Sequence, residues 1–172
     1  LLLGGTIAAV GQNLKADFGG AVEVTELDGS DLVLTPGFID SHEHIMGGGG
    51  EGGFHTRTPE ASLTDLTANG ITTVVGCIGT DGVARHMGSL LAKARGLEEE
   101  GITTYVYTGS YQVPAHTLTG SLMKDIMMLD KVIGAGEIAI SDHRSSQPTF
   151  EEFARIAADV RVGGMLSGKA GV

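Results

Sequence analysis

One cysteine, few basic residues and no long apolar run mark this sequence, and each scarcity closes off a class of function. A single Cys77 cannot form an internal disulfide. Within the apolar run "TTVVGCIG" it reads as a small buried hydrophobe and not a nucleophile, and a reducing cytoplasm is its natural compartment. Lys and Arg total 11 against 21 Asp and Glu, for a net charge of -10, and the basic residues are scattered singly. The electrostatic footprint of a nucleic-acid binder is therefore missing. No apolar run reaches the ~18 residues of a membrane span, and the opening "LLLGGTIAAV" lacks a basic region, so neither a span nor a secretory signal is expected. Leu1 is not an initiator methionine and "SGKAGV" closes no evident element, so the expectation is a fragment of a longer protein.

What is present is enough for one packed domain: 172 residues, 41% hydrophobic and 19% charged, with positive mean hydropathy. The 28 glycines are an excess that argues for many tight backbone turns in a loop-rich α/β protein. Residues 1–35 read as short strands, "TIAAV", "AVEVTEL" and "DLVLT", broken by glycine turns. After Pro36 strands and helices alternate. Strand-like runs are "GFIDSHEH", "TTVVGCIG", "TTYVYTGSY" and "EIAISD". Helices are predicted to begin near Pro59, Val83, Ser121 (running to Ile133) and Thr149, the last with Glu152 forming a capping box.

Alternating strands and helices imply a parallel sheet, either open and doubly wound or closed into a (β/α)8 barrel. The open sheet announces a nucleotide by a glycine fingerprint after its first strand, but "HEHIMGGGGEGG" holds neither a P-loop Lys-Ser/Thr nor a clean dinucleotide fingerprint. The barrel is preferred. It needs eight βα units and about 250 residues, so roughly half of one is visible.

The stretch "PGFIDSHEHIMGGGGEGG", residues 36–53, places His42 and His44 two apart. On a strand such residues share a face, about 6.6 to 6.8 Å apart along the axis, close enough to converge on one cation, with Glu43 facing away. This is unlike the helical H-E-x-x-H of metalloproteases, whose histidines need i, i+4 spacing. Taken alone, H-x-H also reads as two ordinary polar residues at a strand end. Its position, at the C-terminal end of a first barrel strand, is where barrel active sites sit.

With the preceding "TPGFIDS", this motif resembles the amidohydrolase superfamily, in which a small β domain leads into a first barrel strand. Later blocks narrow the resemblance to the isoaspartyl (β-aspartyl) dipeptidases: "GGGGEGG", "TRTPE", "GTDG", "TGSYQVP", "VIGAGEIAISDHRSS" and "RVGGMLSGKAGV". The resemblance spans nearly the whole chain. It implies residues 1–35 as part of a small β domain and 36–172 as the first half of a (β/α)8 barrel. It also implies hydrolysis of dipeptides linked through an aspartate side chain, two zinc ions, and a homo-oligomer in the full-length form.

By the same resemblance His42 and His44 bind the more buried zinc, while two further histidines and an aspartate come from strands beyond Val172, so that this chain alone is expected to be inactive. Better-known members bridge the metals with a carboxylated lysine. "GAGEIAIS" has no lysine and is one residue longer than the family pattern, so Glu137 is expected to supply the bridging carboxylate, its two oxygens each facing one cation. Glu51 is implied as partner of the substrate's α-amino group, Tyr111 as the donor that stabilises the oxyanion, Arg144 as a bidentate carboxylate binder, and Thr80 as a further contact. The glycines, Gly49 among them, are expected to let the backbone approach a ligand and present N–H groups. His143 reads as structural or supporting, and His55, His86 and His116 as loop or surface residues. Competing readings are a dihydroorotase- or hydantoinase-like cyclic amidase, which shares the histidine pair, and a non-catalytic half-barrel module.

Overall fold

The computed structural model describes residues 1–15 and 17–169. Its internal contacts divide the chain into two units, Leu1–Pro36 and Gly37–Val172. In the first, β1 (Leu2–Leu3) and β2 (Thr6–Ile7) form a short antiparallel hairpin. The strands predicted at 21–27 and 31–35 do not form. A strand needs a ladder partner as well as an alternating pattern. These segments find none among the described residues, and Leu27 and Val33 stay 86% and 88% exposed.

The second unit is a four-stranded parallel sheet of β3 (Phe38–Glu43), β4 (Ile71–Gly76), β5 (Thr103–Thr108) and β6 (Val132–Ala135). Spatial order follows chain order, β3-β4-β5-β6, with no reversal. A doubly wound sheet reverses its order at a switch point, whereas a barrel adds each strand beside the last. The sheet is thus a run of barrel staves. Each strand is followed by a helix: α1 (Leu63–Thr67), α2 (Met87–Glu99), α3 (Leu122–Met128) and α4 (Phe150–Ser167).

The helix starts are set by side chains that accept the first free N–H groups. Ser121 and Thr149 cap α3 and α4 as predicted, Thr149 forming a reciprocal capping box with Glu152. Two starts lie later than the pattern suggests. Ser62, boxed with Asp65, begins α1 and leaves Pro59 outside the helix. Asp81 accepts the N–H groups of Val83 and Ala84, holding them in a turn, so that α2 begins only after the His86 cap. The last strand also moves. "VIGA" pairs with β5 instead of continuing α3, and Glu137 falls just past its end. The β-branched Val132 and Ile133 fit a ladder better than a helix turn.

One face of the sheet buries Val74, Val106 and Val132 against Leu90, Ala94 and Leu97 of α2, Ile126 of α3 and Val160 of α4. Thr104 stays satisfied on that face by donating to the Ala94 carbonyl. The outermost strands β3 and β6 each have one neighbour, and Phe38 and Ile39 at the start of β3 are exposed. No helix among the described residues is long and apolar enough to cross a membrane. Replacing Thr149 by Ala in the full-length protein removes one side of the α4 capping box and should lower unfolding free energy by about 1 kcal/mol in a denaturant titration. An unchanged midpoint would show that the cap contributes nothing.

Candidate metal and ligand site

Parallel strands bring all four C-terminal ends to one rim, and the chemistry-bearing residues follow those ends. His42 and His44 come from β3, Cys77, Gly79 and Thr80 from β4, Tyr111 from β5, and Glu137 and then Arg144 from β6. The register across β3 and β4 slips between Asp40 and Glu43, three steps on one strand against two on the other. This bulge contains His42 and ends just before His44, so simple alternation no longer fixes their direction. Asp40 stabilises it by accepting the His42 N–H at 3.0 Å.

Both imidazoles nevertheless converge. Their ring centroids lie 5.5 Å apart, edge to face. His42 Nε2 is 2.8 Å from Glu137 Oε2, and His44 Nε2 is 3.6 Å from Glu137 Oε1. Each carboxylate oxygen thus addresses a different histidine. Two imidazole nitrogens and a carboxylate are a donor set suited to zinc and similar divalent cations. Gly79 leaves room for it: a Cβ there would lie 2.7 Å from His44 Cε1 and 3.4 Å from Glu137 Oε1.

Cys77 joins the same cluster, all four donors lying within 4.8 Å of one another. Its Sγ is 3.8 Å from His44 Nδ1, the nitrogen turned away from Glu137. Burial first, and then the Glu137 carboxylate, push its thiol up to about 12. Cys77 is therefore buried, as the sequence suggests, and also supports the back of His44. The sequence reading missed this second part because the two residues are 33 apart and meet only across β3 and β4.

A polar group stands beside the donor set. Arg144 Nη1 lies 3.0 Å from Glu51 Oε1, which also accepts from Thr80 Oγ1 at 3.0 Å. Arg144 Nη2 donates to the Tyr111 hydroxyl at 3.1 Å, and the guanidinium carbon sits 5.1 Å from the Tyr111 ring centroid. Asp142, unremarked in the sequence reading, holds the guanidinium in a two-point grip at 2.8 and 3.0 Å. The Arg144 side chain and then its backbone N–H hold the Asp142 carboxyl well below the usual range, and Asp142 in turn raises Arg144. Hydrogen bonds from its own N–H and from Thr80 lower Glu51. Burial, then Glu137, raises Tyr111 above its ordinary value, so its hydroxyl keeps its proton as a donor. One cavity is lined by His44, Gly49, Glu51, Thr80, Tyr111, Glu137 and Arg144 together, and His42 adjoins it through Glu137.

The glycine run also has an immediate role within the chain itself. Residues 47–58 form a hairpin in which Gly49 bridges Arg57 and Gly48 accepts from Thr58 N at 3.0 Å. A Cβ on Gly47 would lie 2.3 Å from the Thr58 carbonyl oxygen, and one on Gly49 2.5 Å from that of Thr56. The close approach is to the chain's own return arm. Of the remaining histidines, His55 lies in a short 3-10 turn, His86 caps α2 and His116 contacts the Gly82 carbonyl at 3.0 Å, while His143, expected as structural or supporting, is exposed with Nδ1 3.7 Å from Asp142 Oδ1.

A scan of the sequence against known protein families finds no match. Among solved structures, the chain is similar to a β-aspartyl dipeptidase from the thermophilic, keratin-degrading Fervidobacterium islandicum AW-1. The identity is 66% and the TM-score 0.79, over 80% of this chain and 37% of that one. A second structure from the same organism, a β-aspartyl dipeptidase in complex with a β-Asp-Leu dipeptide, matches with TM-score 0.78, the same 66% identity and the same coverage of 80% and 37%. The chain thus spans little more than a third of the length of these relatives.

Gly79→Ala places a methyl group against the His44 ring and should weaken zinc affinity of the full-length protein by about 10- to 100-fold in chelator competition. Undiminished affinity would mean that His44 is not a ligand in this orientation.

Proposed function

We propose that the protein carrying this chain is a β-aspartyl dipeptidase, like the solved structures it is similar to, and that it hydrolyses isoaspartyl dipeptides at a binuclear zinc site to which His42, His44 and Glu137 contribute. In this reading residues 1–35 are part of a small β domain, and residues 36–172 are the first half of the barrel. The observation that carries the proposal is the union, in one cavity, of metal donors with an acid and a base matched to a zwitterion.

An isoaspartyl dipeptide carries a free α-ammonium and α-carboxylate on the same residue whose side chain forms the scissile amide. Glu51 and Arg144 pair with each other at 3.0 Å, and a zwitterionic ligand replaces that pair with its own two charges. Thr80 steadies Glu51, and Asp142 steadies Arg144, so neither side chain has to be ordered when the ligand arrives. Zinc, when bound, supplies Lewis acidity and an ionisable water for amide hydrolysis. Tyr111 keeps its proton and donates to the amide oxygen as negative charge builds there. Its contact with Arg144 at 3.1 Å holds the phenol in place. Glu137 offers both oxygens to the metal site without modification, which is the role a carboxylated lysine fills in better-known relatives.

The direct test is turnover of β-aspartyl-leucine by the full-length protein, set against dihydroorotate and hydantoin. The dipeptide should be the best substrate, and faster turnover of either ring would overturn the reading in favour of a cyclic amidase. Folded, metal-free protein that cleaves none of the three would favour a non-catalytic module.

A second test concerns Glu137. Protein reconstituted with zinc under carbon-dioxide-free conditions should be as active as protein given bicarbonate, because Glu137 needs no carboxylation. Glu137→Ala should lower kcat by at least about 100-fold. A strict bicarbonate requirement would place the bridge elsewhere.

A further inference from the structure

Arg85 is a cation buried where no function has been read for it. It stands between the Asp81 turn and the His86 cap, just ahead of α2, and runs under the glycine hairpin. Nε donates to the Met46 carbonyl at 3.2 Å, Nη2 to Gly48 at 2.8 Å and Nη1 to Gly49 at 3.3 Å. Three successive donors of one rigid fork are thus spent on one short backbone segment. A guanidinium removed from water is costly unless its hydrogen bonds are made. Its nearest carboxylate is Asp81, at 3.7 Å, and Asp81 is shared with Arg57 on the return arm of the hairpin. Arg85 grips the outgoing arm directly and, through Asp81 and Arg57, is tied to the returning one.

This arrangement fixes direction. A trans peptide plane points its N–H opposite its carbonyl. Drawing the Gly48 carbonyl toward Arg85 therefore turns the Gly49 N–H to the other side of the hairpin. Two residues further on stands Glu51, whose carboxylate must meet Thr80 and Arg144 across the cavity. Glycine backbone has no side chains to hold it, and its conformational freedom is the largest of any residue. Without an external clamp, Glu51 would be carried on a segment sampling many conformations.

We propose that Arg85, seconded by Asp81, is a positioning residue that sets the glycine hairpin so that Glu51 is poised for the substrate's ammonium group. The proposal rests on the ligand role given to Glu51 above. Arg85 lies beneath the hairpin and acts through it. Because the ammonium lies away from the reacting amide, its contact is made equally in the ground and transition states, so loosening it raises KM and spares kcat.

The experiment uses the full-length, zinc-loaded protein, its Arg85→Met and Arg85→Lys variants, amide hydrogen exchange and steady-state kinetics on β-aspartyl-leucine. In Arg85→Met, exchange of residues 47–58 should rise about tenfold or more while β4 and β5 remain protected, and KM should rise about tenfold or more with kcat nearly unchanged. Arg85→Lys keeps the charge and most of the volume but loses the fork, and should fall between wild type and Arg85→Met in both readouts. It also serves if Arg85→Met does not fold. Unchanged exchange in the hairpin would overturn the proposal, as would faster exchange with an unchanged KM or with kcat falling in step. Wild-type protein that fails to cleave the dipeptide would sink the proposed function instead. Hairpin exchange in the variants would then still decide whether Arg85 holds this segment.

Discussion

The contact on which the site depends joins the two edges of the sheet. Glu137 follows β6, His42 lies near the end of β3, and two strands lie between them, yet their side chains meet at 2.8 Å. In a flat sheet three strand spacings amount to about 14 Å. Side chains alone span part of that gap, and curvature supplies the rest. The chirality that coils a run of parallel staves thus also delivers an acid to a histidine pair encoded almost a hundred residues earlier. A metal donor set built this way exists only once the sheet has formed.

Around that contact the rim assigns separate tasks to separate layers. Cys77 and the bare surface of Gly79 leave the His44 ring one place to stand. Asp142 and Tyr111 fix Arg144 from two sides, and Thr80 fixes Glu51. In the proposed function the groups that meet a ligand are therefore held by others that do not, as preorganised recognition requires. The Glu51–Arg144 pair is also a sensible resting state, because two charges awaiting opposite charges cost least when they wait against each other.

Much of this was legible in residue order. The strand and helix alternation pointed to a parallel sheet, the missing nucleotide fingerprint favoured the barrel over the open form, and the caps Ser121 and Thr149 stand where the pattern puts them. The cluster of His42, His44, Glu137, Tyr111, Glu51, Thr80 and Arg144 was named residue by residue, because resemblance carries the outcome of folding even where spacing does not. What could not be read were consequences of distance in the chain. The bulge around His42, the placing of β6 at Val132–Ala135, and the Asp142, Asp81 and Arg85 clamps all arise from partners brought together by the sheet. The glycine run has a second role that residue order does not show, for a related reason. Its missing side chains make room for the return arm, which no local pattern reveals. In the first unit, alternation at 21–27 and 31–35 promised strands, and the absence of a pairing partner among the described residues left them irregular.

The central claim is that an unmodified glutamate and two strand-end histidines share a metal site. Anomalous scattering at the zinc edge, from crystals of the full-length protein grown without bicarbonate, tests it most directly. A peak about 2.0 to 2.1 Å from a ring nitrogen of both His42 and His44, with a Glu137 oxygen at coordinating distance, is the result expected. Rings turned to solvent, or a metal held without Glu137, would contradict it.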